Sequence, residues 1–253
     1  MKNLILILVF TFTCIGCKYE LREEVTAQFV VDNAIKASGK EKLKNVKLNF
    51  DFRSKSYQSL GDCDSFILKR IIENSNGKIA DIYQMEKKLK RYVNDSLVTV
   101  PDTVASRVSE SINSVHYFIQ LPLRLNDNAV NKTYKGIDSI KGKAYHNIKV
   151  TFNKENGGKD YQDVYLYWFE KDTYKLDYLA YSFIVNGGGI RFREAYNERI
   201  IEGIRFVDYL NYKPKTKGIK LENISNAYKN DKLKIISKIE NTNIKVEIEN
   251  EKC

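Results

Sequence analysis

The clearest alternation of hydrophobic and polar residues runs from Asp177 to Pro214. Three runs with a period of two are separated by glycine-containing segments at residues 187–189 and 201–204, which is typical of an antiparallel meander. The residues that share one face of the first run are Leu179, Tyr181, Phe183 and Val185. The pattern predicts three strands with one face against a core and a second face that mixes aromatic and cationic side chains.

That second face has two interpretations. It is either ordinary solvent-exposed surface, on which charged and aromatic side chains pair across strands, or the concave wall of a curved sheet that faces a ligand. Exposed ion pairs are common and contribute little to stability, so ordinary surface is the simpler interpretation.

Three stretches have the spacing of helices. Residues 24–38 repeat apolar positions at helical spacing and stop at Gly39, and residues 106–120 do the same before Pro122. Residues 221–230 predict a short helix. The interior stretch 106–120 is the most regular of the three, and we expect it to cover the sheet.

The remaining periodic runs predict strands. Residues 46–52 alternate cleanly, and residues 57–60 extend this region up to a turn at Gly61-Asp62. A hairpin over residues 89–100 turns at residues 94–96. The other predicted strands are 66–72, 79–85, 132–134, 137–140, 144–152, 164–170 and, at the end of the chain, 233–248. We found no internal repeat or proline-rich linker, so the pattern predicts a single mainly antiparallel β (α+β) domain over residues 25–253 with a few helices.

The first residues have the organisation of a bacterial lipoprotein signal peptide. Lys2 precedes an apolar run over residues 4–12, which is too short for the roughly 20 residues that span a bilayer. Residues 14–17 then read Cys-Ile-Gly-Cys, similar to a lipobox, with Cys14 where leucine is usual. We predict a signal peptide over residues 1–16 and lipidation of Cys17; the alternative is an ordinary cleaved signal with an unmodified Cys17.

An acylated Cys17 would anchor the chain in the cell envelope without a transmembrane helix, since each buried methylene contributes about 0.8 kcal/mol. Residues 17–24 would form the tether and hold the domain roughly 25 Å or less from the membrane. The expected location is the outer membrane, facing the periplasm or the cell surface. Oxidation there would permit a disulfide between Cys63 and Cys253, although Cys253 lies at the chain end.

Composition and charge narrow the class of protein. A hydrophobic content of 43% and 17 tyrosines argue against disorder. The net charge of +10 comes from scattered lysines, so we expect no nucleic-acid partner. A basic surface beside anionic lipid is the more natural consequence. We expect a monomer.

Few residues form a pattern typical of catalysis. His116 and His146 have no accompanying metal motif, and a packed or hydrogen-bonded role is the simpler interpretation for His116. Asp160 and Asp163 are weak candidates for a calcium site. Glu194 and Asp208 permit a carboxylate dyad for glycoside chemistry, but are explained equally well as ion-pair partners of Arg191, Arg193 and Arg205. We therefore predict no catalytic residue, metal or cofactor.

Several motifs nevertheless resemble a known group. They are residues 32–39, 50–53, 113–118 with 121–122, 125–127 with 131–134, 157–160, 177–181 and 187–197. Together they resemble an uncharacterised lipoprotein family of the Bacteroidetes, a domain of unknown function, across nearly the whole mature chain. The resemblance implies a lipoprotein-carrier (LolA/LolB-like) fold, in which an antiparallel sheet forms an incomplete β-barrel whose open mouth is covered by helices. It implies no catalytic residue.

From these observations we predict a non-enzymatic envelope lipoprotein that binds a hydrophobic or amphiphilic ligand between the curved sheet and the helix at residues 106–120. The candidate wall residues are Phe50, Phe52, Tyr181, Phe183, Phe192 and Phe206, and the candidate head-group residues are Arg191, Arg193 and Arg205. The first alternative is an envelope scaffold whose surface recruits protein or glycan, and the second is an envelope hydrolase.

Overall fold

The computed structural model describes residues 25–62, 65–84, 87–155, 157, 161–184 and 187–248. Their strands form two seven-stranded sheets with antiparallel pairing throughout. The first sheet contains β1 (Val46–Phe52), β2 (Lys55–Asp62), β3 (Ser65–Asn74), β4 (Gly77–Gln84), β5 (Lys90–Val93), β6 (Ser96–Val98) and β14 (Asn241–Ile248). The second contains β7 (Val130–Ile140), β8 (Lys143–Phe152), β9 (Val164–Glu170), β10 (Leu176–Phe183), β11 (Gly189–Ile201), β12 (Ile204–Pro214) and β13 (Leu233–Ile239). The predicted fold class is confirmed.

The meander is present as β10, β11 and β12, but two local predictions were wrong. β2 continues through Gly61 and Asp62, so these residues do not form a turn. A Cβ at Gly61 would lie 2.1 Å from the carbonyl oxygen of Lys44, and this close backbone approach requires glycine. The two strands predicted before and after Gly136 are one strand, β7, whose pairing register shifts between Tyr134 and Ile137.

The two sheets are joined by a single extended segment near the end of the chain. β13 pairs with β12, and β14 pairs with β1, although one residue, Glu240, separates the two strands. Asp208 stabilises the point where the chain passes from one sheet to the other. Its carboxylate accepts a hydrogen bond from the backbone N–H of Asn241 at 3.0 Å and two from the guanidinium of Arg199 at 2.7 and 2.9 Å. The run predicted over residues 233–248 therefore serves both sheets.

The helices begin and end where their capping residues lie. α1 (Ala27–Ser38) starts at Thr26, whose side chain accepts from the N–H of Phe29, and stops at Gly39 in a left-handed conformation. α2 (Asp102–Gln120) starts four residues before the predicted helix, directly after Pro101. α3 (Ile224–Lys229) follows a 3₁₀ helix over Leu221–Asn223. Two more 3₁₀ helices cover Lys40–Asn45 and Leu123–Asn126.

The apolar residues form a main core and a second core. The main core combines buried residues of both sheets with α1 and α2. The second core lies on the other face of the second sheet, where Trp168 and Phe192 pack with Leu221 and Ile224. Both faces of the meander are therefore covered, and the prediction of a solvent-exposed second face was wrong for this region. The short segment around α3 supplies the cover.

A row of side chains crosses the first sheet from strand to strand. The register pairs Phe50 with Tyr57, Tyr57 with Arg70, Arg70 with Asp81, and Asp81 with Arg91. Phe50 and Tyr57 stack with ring centroids 5.4 Å apart. Asp81 is fully buried and accepts hydrogen bonds from both arginines, each at 2.7 Å. An apolar core thus continues directly into a buried ion triad.

Candidate functional site

Helix α2 has one face that packs in the core and another that lines a cavity. Val108, Ile112, His116 and Ile119 are buried against the sheets. A second stripe, at the same helical spacing, consists of small or polar residues and faces a cavity. Its members are Ala105, Ser106, Ser109, Glu110, Asn113 and Ser114. Because most of these side chains are short, the helix lies over the sheet without filling the space between helix and sheet.

The cavity has a volume of about 500 Å³ and is partly open to solvent. Its wall opposite the helix is aromatic, with Phe152 of β8 and Tyr165 of β9, and Tyr117 and Phe118 close it from the end of α2. Residues in and after β4 and at the start of α2 complete the lining, together with Gly157: they are Tyr83, Lys87, Lys88, Leu89, Val100 and Asp102. One wall is therefore polar, the other is apolar, and the exposed lysines lie at the rim.

The aromatic wall is a stacked array that buries its hydroxyl groups. Tyr165 stacks on Tyr181 with centroids 5.1 Å apart and on Tyr167 at 5.9 Å. The hydroxyl groups of Tyr117 and Tyr167 are hydrogen-bonded at 2.9 Å. Burial raises the pKa values of Tyr117, Tyr165 and Tyr167 well above the ordinary range for tyrosine. This wall is therefore uncharged at any physiological pH.

The predicted wall and head-group residues are distributed over several environments. Tyr181 stacks against the cavity lining, Phe183 packs on Tyr181 with ring centroids 6.0 Å apart, and Phe52 packs on the edge of the main core. Phe50 and Phe206 lie inside the main core, and Phe192 lies in the second core, on the opposite face of its sheet. None of the six predicted wall residues lines the cavity itself; Tyr181 is adjacent to it through its stacking on Tyr165.

The three predicted arginines differ in what they contact. Arg205 is paired with Glu198 at 2.6 Å and Asp177 at 3.1 Å. Arg191 is partly exposed, lies 4.9 Å from the ring of Phe183 and donates to the carbonyl of Ile190. Arg193 is 7% exposed; its guanidinium lies 3.8 Å from the ring centroid of Phe118 and donates to the hydroxyl of Tyr181 at 3.0 Å. Of these three, Arg193 is the one adjacent to the cavity wall.

Sequence reasoning missed most of the lining. The aromatic residues Phe152 and Tyr165 lie on strands that were predicted, but nothing in their alternation distinguished an inner wall from a core. The stripe of small residues on α2 was visible as spacing, from Ala105 through Ser109 to Asn113. In the sequence alone this stripe has the pattern of an ordinary solvent-exposed helix face, because nothing in it shows that a sheet lies opposite.

Comparison with known proteins gives the family. Residues 18–241 match the model of a family of unknown function, DUF6503. The chain belongs to this family. The predicted membership of a domain of unknown function is thus confirmed. None of the curated proteins matches the chain.

Solved structures similar to this DUF6503 chain include two bacterial proteins. A LolA superfamily protein from Nitrosomonas europaea is 12% identical, with 88% of this chain and 94% of that chain covered and a TM-score of 0.43. A DUF1329 family protein from Desulfovibrio piger is 11% identical, with 87% and 92% covered and a TM-score of 0.48.

The other predicted sites of the DUF6503 chain lie partly outside the residues that the structure describes. Cys17, Cys63, Cys253 and Asp160 lie outside the described residues, so the predicted lipidation, disulfide and calcium pair stay predictions. Within the described ranges, no group of three or more His, Cys, Asp or Glu side chains is placed to hold a metal ion. In the same part of the chain, no helix combines the length and apolar content needed to cross a bilayer.

Glu194 and Asp208, the carboxylates considered for glycoside hydrolysis, have separate partners. Glu194 accepts from Tyr212 at 2.9 Å and Tyr228 at 2.6 Å and is paired with Lys141. Burial alone would raise both pKa values, but these hydrogen bonds, and those of Arg199 to Asp208, lower them overall. Neither carboxyl is the protonated general acid that this chemistry needs. Glu194 pairs with Lys141 and Asp208 pairs with Arg199. The prediction that they pair with Arg191, Arg193 and Arg205 was therefore wrong.

His116 is a packed residue, as the simpler interpretation had it. It is fully buried, lies edge-on to Phe50 and Tyr57 at 5.4 and 5.7 Å, and its Nε2 lies 3.4 Å from the carbonyl oxygen of Lys69. Burial removes the water that would solvate the imidazolium and lowers the pKa of His116 to about 3. The folded protein therefore holds this imidazole neutral.

This neutral imidazole predicts a pH dependence of stability. The unfolded chain protonates His116 near pH 6.5 and the folded chain near pH 3, so the free energy of unfolding falls as pH drops through that window. Between pH 7 and pH 5 we expect the wild-type chain to lose about 2 kcal/mol more than a His116→Phe variant. Urea unfolding at both pH values measures this difference. Above pH 7 the two should differ by a constant, and parallel curves across the whole range would contradict the prediction.

Proposed function

We propose that this protein is a lipid-anchored envelope protein that binds an amphiphilic molecule in the cavity beneath α2. The observation that carries the proposal is the cavity itself: its volume of about 500 Å³ lies within the roughly 300–1,000 Å³ typical of small-molecule sites. A solid core at this position would have argued for a scaffold instead. The position of the cavity, between α2 and the strands β8 and β9, supports this proposal.

The chemistry of the walls supports an amphiphile over a purely apolar or purely polar ligand. Phe152, Tyr165 and Phe118 offer ring faces and edges to an acyl chain, whose burial contributes about 0.8 kcal/mol per methylene. Ser109 and Asn113 on the opposite wall offer hydrogen-bonding groups. Lys87 and Lys88 at the rim favour an anionic molecule or an anionic membrane surface near the entrance.

The anchor belongs to the same proposal. An acylated Cys17 and a tether over residues 17–24 would hold the domain, residues 25–253, within roughly 25 Å of the membrane, where an amphiphile is concentrated. We propose that the protein works there as a monomer without a cofactor, most naturally at the outer membrane. The supporting evidence for the anchor is the signal-like run and the tetrapeptide at residues 14–17.

Binding is tested on the chain expressed with its own leader and carrying Cys17→Ser, so that any acyl lipid detected is bound and not attached. We expect mass spectrometry of the native protein to detect an acyl lipid near one molecule per chain. After delipidation, the protein should take up a fluorescent fatty acid to saturation at the same stoichiometry. A protein that is purified free of lipid and takes up no fatty acid would contradict the proposal and favour the scaffold.

A further inference from the structure

Arg193 is a buried cation with little to neutralise it. The residue is 7% exposed, and among the described residues it is paired with no carboxylate. One nitrogen, Nη2, donates to the hydroxyl of Tyr181. Its Nε and Nη1 are buried and have no hydrogen-bond partner in the described part of the chain. Unpaired buried donors on a charged group are costly, so a partner for them is expected.

The position of this guanidinium relates it to the cavity. The ring of Phe118 lines the cavity and also lies 3.8 Å from the guanidinium carbon. Tyr181, its hydrogen-bond partner, stacks at 5.1 Å on Tyr165, a second cavity-lining residue. Arg193 therefore contacts the back of the cavity wall on two sides, with the Phe118 ring as the shared surface.

The neighbouring cations do not share these properties. Arg205 is neutralised by Glu198 and Asp177. Arg191, two residues along the same strand face, is partly exposed and therefore solvated. Lys40 is buried as well, but its Nζ donates to the carbonyl of Ile119 at 2.8 Å and so closes the end of α2. A buried cation with free donors beside the cavity is thus specific to Arg193 within this group.

We infer that Arg193 binds the anionic head group of the ligand. The ligand enters the cavity head group first, and its acyl chain then lies along the aromatic wall. The inference rests on the proposed function and specifies it: the ligand carries a carboxylate or a phosphate monoanion on a long alkyl chain. The Phe118 ring moves off the guanidinium to admit the head group. Nε or Nη1 then donates to an oxygen of the head group in a charge-assisted hydrogen bond.

The test compares three probes that share one alkyl chain: hexadecanoic acid, hexadecyl phosphate and hexadecanol. Each displaces a fluorescent fatty acid from the delipidated full chain carrying Cys17→Ser, at a pH where both acids are ionised. Because a hydrogen bond to a charged group contributes about 1.5–3 kcal/mol, we expect the two anions to bind about 10- to 100-fold more tightly than the alcohol. The stronger of the two anions identifies the head group.

Arg193→Met should abolish that preference, so that all three probes bind with similar affinity. Arg191→Met is the matched control, since it removes a cation two residues away on the same face, and it should keep the preference. The melting temperature of Arg193→Met should equal or exceed that of the wild type, because the substitution removes a buried charge whose donors are unpaired. If Arg193 instead stabilised the fold, its replacement would lower the melting temperature. If Arg193→Met misfolds, Arg193→Gln, which also removes the charge, takes its place in the same comparison.

Three results would overturn it. They are equal binding of acid and alcohol by the wild type, an undiminished anion preference in Arg193→Met, or an equal loss of preference in Arg191→Met. Uptake of the alcohol with no anion preference leaves the cavity proposal intact and removes Arg193 from it. Failure of all three probes to bind instead refutes the proposed function and, with it, this inference.

Discussion

Ser109→Trp is expected to abolish uptake of acyl ligands while leaving the protein folded. Ser109 lies at the middle of the small-residue stripe of α2 and lines the cavity, where its short side chain leaves the space facing Phe152 and Tyr165 open. An indole on this helix face would project into that space. The ligand and the new side chain then compete for the same volume, since protein interiors do not accommodate overlap.

The size of the effect follows from the ligand that is displaced. Excluding about six methylenes of an acyl chain from the cavity removes about 5 kcal/mol of apolar burial, which is a loss of more than a thousandfold in affinity. Titration of the delipidated chain with a fluorescent fatty acid measures this directly. The effect on stability should be small, because the indole enters an existing cavity and displaces no packed side chain.

The matched control is Ser111→Trp. Ser111 is on the same helix, is exposed and does not line the cavity. It introduces the same side chain with the same helix propensity, so any loss of binding it shares with Ser109→Trp is unspecific. Full uptake by Ser109→Trp would place the ligand elsewhere and contradict the proposed site.

Asp81→Asn is expected to destabilise the protein by about 3–5 kcal/mol, because it breaks a buried ion triad by removing its anion. Asp81 is fully buried, and Arg70, with which it pairs across β3 and β4, is 8% exposed. Without the carboxylate, Arg70 is a buried charge without compensation, and Arg91 loses a bidentate partner as well. For a chain of this size the loss corresponds to a fall of roughly 10 °C in melting temperature.

Thermal and urea unfolding of the variant measure this loss. Glu247→Gln is the control, since it removes the anion of an ion pair with Lys47 whose side chain exposures are 30% and 52%, and we expect a change below about 1 kcal/mol. A second variant tests the cause. If the cost comes from the uncompensated arginine, Asp81→Leu combined with Arg70→Met should recover much of the lost stability. Equal effects of Asp81→Asn and Glu247→Gln would contradict the assignment of burial as the cause.

Local patterns predicted the strands because alternation and turn residues act between near neighbours. The meander over β10, β11 and β12 has strong period-two alternation and glycine turns, and it formed as predicted. Gly61 is the instructive exception. A glycine after an alternating run is usually a turn residue, but this one is required because a Cβ at Gly61 would lie 2.1 Å from the carbonyl oxygen of Lys44, which precedes the neighbouring strand β1.

The pocket residues were predicted less well, for a related reason. Phe192 and Tyr181 are both large aromatic residues on alternating strands, and the sequence offers no reason to separate them. The structure places Tyr181 beside the cavity and Phe192 under α3, because the register of β10 with β11 puts them on opposite faces and a six-residue helix covers the outer face. The arginines show the same limit: their charge is visible in the sequence, but their partners come from other strands.

The sequence by itself determined the mainly antiparallel fold, the two long helices and the family, since these follow from periodicity, capping residues and motifs read along the chain. Only the tertiary structure decided which face of α2 borders a cavity, which arginine is buried without a carboxylate, and that Asp81 lies between two arginines. These are properties of side chains brought together from distant strands. Burial and electrostatic environment depend on that assembly. The pattern along one strand does not show which residues of another strand will contact it.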